Sequence, residues 1–231
     1  MLKSWRLGTL LGFPVEINVT FLLLLAVVLL AFGGMVGVVL VLLAFASILL
    51  HELGHALVAR QLGVAVSGIE LGFFGGAAKM TRLPRTANDE LAIAAAGPIV
   101  SLALGGIGLG LAAATHVSLF AWLGWTNLIL AGFNLIPALP MDGGRMLRAL
   151  LTRKLDFVVA TDVAVTIARV TAGVFLFGGL AFGLYQLALL APFLWLMAGR
   201  EQVLARMMAQ QYAYTRDGYV QRTPRYSRHI L

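Results

Sequence analysis

His51 and His55 lie four residues apart, so on a helix they project from one face and both imidazoles can reach a single metal ion. Glu52 follows the first histidine, where its carboxylate can act on a water held by that metal. From the chain's own His and Glu content, a chance His-Glu-x-x-His is on the order of a one-in-several-hundred event. Cysteine is absent, which excludes disulfides and thiolate ligands and leaves His, Asp or Glu to bind any metal. A catalytic zinc site usually has three protein ligands and an open position, so a third is needed. His116 falls in an expected outer turn and His229 in a polar tail, and both read as surface residues. The better third ligand is Asp142, in the stretch from Phe133 to Arg145 that Pro137, Pro140, Gly143 and Gly144 break. A carboxylate at such a break can point into a cavity. It can equally cap the short helix expected over 143–154. The depth it shares with the histidines favours the ligand reading.

The elements that must position these residues are membrane helices. Of the 231 residues, 60% are hydrophobic and 12% charged, against roughly 45–50% and about 25% in a soluble domain. About 20 apolar residues cross the hydrocarbon core. Segments at about 15–33, 37–60, 90–114, 118–138, 158–180 and 184–207 fit that length. The fold expected is an all-α polytopic membrane protein of six transmembrane helices, with a small membrane-associated β-hairpin between helices 2 and 3. That hairpin covers about 66–85, where a partly alternating run meets the turn signal Gly75-Gly76. The motif follows the apolar run 38–50, and ionisable residues inside a span are functional by default. The bland alternative is a motif that caps the end of span two and snorkels to the interface.

Lys and Arg gather on one side of this arrangement, at Lys3, Arg6, Arg60, Lys79, Arg82, Arg85, Arg145, Arg148, Arg153, Lys154 and Arg206. The positive-inside rule makes that side, and both termini, cytoplasmic. Arg169 is the exception, within the fifth span, with Asp162 a possible partner. The formal net charge is +7, but the basic residues are interspersed with spans, and no nucleic-acid partner is expected. Residues 1–209 form the membrane domain and 210–231 a basic cytoplasmic tail carrying Arg216, Arg222, Arg225 and Arg228. The tail reads as a topology anchor near anionic lipid or as a partner-binding segment. The apolar stretch from Val19 past Leu50 is too long for a signal peptide, and none is expected.

These blocks together resemble the site-2 protease family of intramembrane metalloproteases. The resemblance is carried by His51-Glu52-Leu53-Gly54-His55, Gly75-Gly76-Ala77-Ala78-Lys79-Met80, Ala95-Ala96-Gly97-Pro98-Ile99-Val100-Ser101 and Asn134 through Arg145, and covers about residues 8–206. It looks like the six-span branch, here without a C-terminal regulatory nucleotide-binding module. The resemblance implies one zinc bound by His51, His55 and Asp142, with Glu52 as catalytic base. It implies that Asn134 helps hold substrate backbone, where the alternative is a helix–helix hydrogen bond. The hairpin around Gly75 and Gly76 would offer an edge strand to an unwound substrate. The activity implied is hydrolysis of a peptide bond within or beside a transmembrane segment of a membrane protein, in a prokaryotic cell membrane. Pro192 could kink span six into a gate. The competing readings are a membrane metal-binding or transport protein, whose ligands should run through the bilayer, and an inactive protease-like scaffold.

Overall fold

The computed structural model describes residues 4–32, 35–72, 75–81 and 84–218. Its elements are β1 (Ser4–Leu10), β2 (Phe13–Asn18), α1 (Val19–Phe32), α2 (Met35–Gln61), β3 (Val66–Gly72), β4 (Gly75–Met80), α3 (Ala87–Thr115), α4 (Ser118–Asn134), α5 (Asp142–Leu151), α6 (Phe157–Ala181) and α7 (Tyr185–Gly218). They form two compact units, Met1–Leu83 with Ala96–Phe133, and Pro84–Ala95 with Asn134–Leu231.

The first unit contains a four-stranded sheet in the order β1-β2-β3-β4. β2 pairs antiparallel with β1 and parallel with β3, and β3 pairs antiparallel with β4. Successive side chains of a strand face opposite sides, and in β2 this buries Phe13, Val15 and Ile17. With Ile69 and Leu71 of β3 they pack against Phe45, Leu53 and Ala56 of α2 and Phe21 of α1. Phe21 and Phe45 meet edge to face at 4.4 Å between centroids. The sheet therefore sits on the helix that carries the His-Glu-x-x-His motif, and Leu53 belongs to both. Lys79 of β4 bridges Glu16 of β2 at 3.0 Å and Glu70 of β3 at 2.7 Å. The hydrogen bond from Lys79 holds the Glu70 carboxyl below its usual range, and Glu70 and Glu16 in turn raise the Lys79 ammonium.

Small residues set the helix crossings of this unit. A Cβ at Gly54 would lie 2.9 Å from Val100 Cγ2 and 3.1 Å from the Ala96 carbonyl oxygen, so α2 and α3 meet there at backbone distance. Gly108 of α3 and Gly124 of α4 face each other in the same way. Such contacts let apolar helices approach where no hydrophobic drive separates helix from lipid.

In the second unit α6 packs along α7, and α6 carries a buried stripe of small residues, Ala160, Ala164, Ala168 and Ala172, spaced four apart. Arg148 of α5 is buried in the same unit. Its Nε and Nη2 donate to Glu90 Oε1 at 2.8 and 2.6 Å, and its Nη1 donates to Glu201 Oε2 at 3.3 Å. The guanidinium also lies over the Phe157 ring, 5.1 Å from the centroid. Burial opposes its charge, but the two carboxylates outweigh burial, and the net effect raises its pKa. One cation thus joins the first turn of α3, α5, α6 and α7. Arg169 is tied to Asp162 through Gln202 rather than directly. Its Nη2 donates to Gln202 Oε1 at 3.2 Å, and Gln202 Nε2 donates to Asp162 Oδ1 at 2.7 Å. Arg206 supplies the cation that pairs with Asp162, at 3.3 Å.

The structure corrects several expectations. The fold is mostly helical rather than all-α, because the hairpin between α2 and α3 continues into a sheet with β1 and β2. The first expected span begins at about residue 15, yet 13–18 is strand and α1 begins at Val19; the alternating Phe13, Val15 and Ile17 run without a break into the apolar residues of α1, which hides the boundary in the sequence. Gly75 and Gly76 open β4, with Gly75 opposite Gly72, instead of forming the turn, and residues 73–74 lie outside the described residues. Of the six expected spans, four correspond among the described residues to helices long and apolar enough to cross a membrane: Val36–Gln61, Ala87–Thr115, Phe157–Ala181 and Tyr185–Ala209. Helix α7 runs on to Gly218, and Arg222, Arg225, Arg228 and His229 lie outside the described residues.

Arg148→Ala would leave Glu90 buried without its cation, a loss of about 3–5 kcal/mol for a broken buried pair. Thermal unfolding of the full chain in detergent should show this as a large drop in Tm, and an unchanged Tm would remove the network from the stabilising contacts of the unit.

Candidate active site

The site is built on α2, a 27-residue helix with no proline and an apolar run up to Leu50. His51 and His55 project from one face and are buried, at 2% and 5% exposure. Their Nε2 atoms are 3.1 Å apart and their rings meet edge to face at 4.8 Å. Ligand atoms of His51, Glu52 and His55 all lie within 4.8 Å of one another. Glu52 is half-buried, and its Oε2 accepts the Ala78 N–H of β4 at 3.0 Å. That N–H is therefore turned toward α2 rather than into the ladder with β3. Gly76 makes the approach possible, since a Cβ there would lie 2.6 Å from Glu52 Cγ and 3.1 Å from Ile48 Cγ2.

Helix α3 closes the other side. A Cβ built on Gly97 would overlap Nε2 of both histidines, so only glycine leaves the imidazole edges their space. One turn further along, Ser101 Oγ lies 2.9 Å from His51 Nδ1, and Ser101 is wholly buried. One turn before His51 on α2, Ser47 donates to the Leu43 carbonyl and receives a hydrogen bond from Asn127 Nδ2 of α4 at 2.9 Å. Ser47 and Asn127 are both buried.

Among the residues singled out from the sequence, the first unit brings together His51, Glu52, His55 and Gly76, with Gly75 at the start of the same strand. Asp142 and Asn134 belong to the second unit. Asp142 is buried and is the first residue of α5, with Met141 at the N-cap position. Side chains at Gly143 and Gly144 would collide with the backbone of 135–139, which folds tightly over the start of α5. Asn134 ends α4 and is half-buried. His116 is exposed at a positive φ in the turn after α3, as a surface residue would be. Ser47 and Asn127 were not singled out from the sequence, and Ser101 was quoted only as part of a block. The available signal was spacing: Ser47 stands four before His51, and Ser101 four after Gly97.

A buried histidine pair with a neighbouring carboxylate, on a helix apolar enough to cross a bilayer, is a donor set of the kind that holds a metal ion in membrane-embedded metallopeptidases. Comparison with known proteins is in accord. Peptidase family M50 matches residues 38–117 and 110–178, and the chain belongs to this family. It is 37% identical over 206 residues to the zinc metalloprotease MJ0392 of Methanocaldococcus jannaschii, covering 86% of this chain and 60% of that protein. It is 31% identical over 113 residues to stage IV sporulation protein FB of Bacillus subtilis, covering 48% of this chain and 39% of that protein. The solved site-2 protease from Methanocaldococcus jannaschii superposes with a TM-score of 0.69 at 38% identity, covering 87% of this chain and 95% of that one. The chain spans about half the length of the curated relatives it matches.

Gly97→Ala should force the two imidazoles apart at an overpacking cost of about 1–3 kcal/mol. Gly132→Ala, inside α4 where a built Cβ meets nothing within 4 Å, should be stabilising by up to about 1 kcal/mol. Thermal unfolding of both metal-free variants checks this, and equal Tm values would mean that Gly97 is not needed for space.

Proposed function

We propose that this protein is an intramembrane zinc endopeptidase that hydrolyses a peptide bond within or next to a transmembrane segment of a membrane protein. The observation that carries this reading is the convergence of two buried imidazole Nε2 atoms at 3.1 Å beside a carboxylate, on a candidate membrane span.

The donors suit zinc. They are nitrogen and oxygen in a chain without cysteine, and the space flanking both Nε2 atoms is one that a single Cβ at Gly97 would fill. His51 and His55 would hold the ion, with Asp142 as the third ligand. When bound, zinc acidifies water and polarises the scissile carbonyl.

The chain's own residues do the rest. Glu52 is the general base: Oε2 is anchored by the Ala78 N–H, and Oε1 takes the proton from the attacking water and passes it to the leaving amine. Strand β4 is an edge strand of the described sheet, and an unwound substrate segment would pair along it in extended form. Gly75 and Gly76, at the start of this strand, and Asn134 would hold substrate backbone. The substrate and the bilayer are then the partners, and no nucleic acid is involved.

The reading also takes α1 and α4 as spans, which makes six, with both termini cytoplasmic and a basic tail from 210. Helix α4 has 17 residues, about 25 Å at 1.5 Å per residue, close to the hydrocarbon thickness of about 30 Å.

Glu52→Gln should keep its zinc and lose at least about 100-fold in cleavage of a single-span substrate in proteoliposomes. Turnover at the wild-type rate would refute the assignment of the base. Asp142→Ala should lower the zinc content of the purified chain measured by elemental analysis, and full stoichiometry would take Asp142 out of the ligand set.

A further inference from the structure

Hydroxyl side chains in the helices of this protein mostly turn back on their own helix. Ser47 donates to Leu43, Thr161 to Phe157, Thr166 to Asp162 and Thr171 to Ile167, each to the carbonyl four residues earlier. This is the usual resting place of a helical hydroxyl. Ser101 departs from it. Its Oγ is wholly buried, and among the described residues its hydrogen-bond partner is His51 Nδ1, at 2.9 Å. A buried hydroxyl is costly without a partner, so the position of this one is tied to the imidazole.

The geometry on α3 gives the contact a purpose. Gly97 and Ser101 are four apart and share a face. Gly97 leaves space at the Nε2 edge of His51, where a side chain would collide. Ser101 meets the opposite edge of the same ring. With its Nδ1 edge at Ser101, the ring directs Nε2 at Nε2 of His55.

We propose that Ser101 is a positioning residue for the metal centre: its hydroxyl oxygen accepts a hydrogen bond from Nδ1–H of His51, which leaves the Nε2 lone pair as the ligand. The reverse arrangement, with the hydroxyl donating to Nδ1, would place the ring proton on Nε2 and exclude metal there. Histidine ligands commonly require such a partner at the second nitrogen, and losing it typically weakens metal affinity by about 10–100-fold. The proposal rests on the reading of His51 as a zinc ligand.

The test uses the full chain in detergent, stripped with a chelator and titrated with zinc against a chromophoric competitor. Ser101→Ala should bind zinc about 10–100-fold more weakly, with its far-UV circular dichroism unchanged. Its cobalt-substituted form should show a shifted visible spectrum. Wild-type zinc affinity together with a wild-type cobalt spectrum in Ser101→Ala would overturn the proposal and reduce Ser101 to packing. His51→Ala separates the two claims: if it too binds zinc normally, the ligand reading itself fails. Should Ser101→Ala not fold, nitrogen-15 spectra of the imidazoles in the zinc-loaded wild type decide the matter. A protonated Nδ1 and a metal-bound Nε2 at His51 support the proposal, and metal at Nδ1 overturns it.

Discussion

A polar side chain taken out of water into an apolar interior costs free energy unless a partner meets it there, and for groups that carry charge the cost rises steeply. Helix α2 places two imidazoles and a carboxylate at the end of an apolar run, and much of the first unit answers that demand. His51 meets Ser101 and His55, Glu52 meets the backbone of β4, and Ser47 one turn away meets Asn127. Apart from the His51–His55 pair within α2, each of these contacts comes from a different element, α3, β4 or α4.

Glycine supplies the clearance for these approaches. At Gly54 two helices touch through backbone, at Gly76 a strand lies over the Glu52 side chain, and at Gly97 a helix leaves room for two rings. Glycines such as Gly54 and Gly97 in a helix interior are destabilising by about 1 kcal/mol each relative to alanine. Here that loss is offset by contacts that no residue with a Cβ would permit. The sheet contributes a second constraint. Packed on α2 through Leu53, Phe45 and Ala56, it carries β4 along the helix so that Ala78 reaches Glu52.

The second unit answers a different charge problem. Arg148 sits in a largely buried setting and is held there by Glu90 and Glu201. Replacing such a network by apolar residues is often neutral for stability, whereas deleting one member is not. Its structural effect is to fix the short helix α5 to three others, and α5 begins on Asp142. The polar chain from Arg169 through Gln202 to Asp162 does similar work between α6 and α7.

Membership of an M50-type membrane metallopeptidase family was legible in the residues themselves. Histidines four apart, the missing cysteine, the long apolar runs and the order of the short motifs are local properties, and local chemistry decides them. The hairpin after α2 and most helix boundaries were legible for the same reason, since apolar periodicity and glycine breaks act over a few residues. The N-terminal hairpin was not, because Phe13, Val15 and Ile17 alternate directly into the apolar start of α1 and carry no boundary of their own. Nor did the sequence reveal that Glu52 would rest on the Ala78 N–H, that Ser101 would take His51 as its partner, or that Gln202 would stand between Arg169 and Asp162. Those pairings join residues far apart in the chain, and hydrogen-bond partners at such separations exist only once helices and strands have packed. The sequence determined which groups can do the chemistry, and the tertiary structure decided which neighbours hold them, because burial demands a partner without specifying where in the chain it must lie.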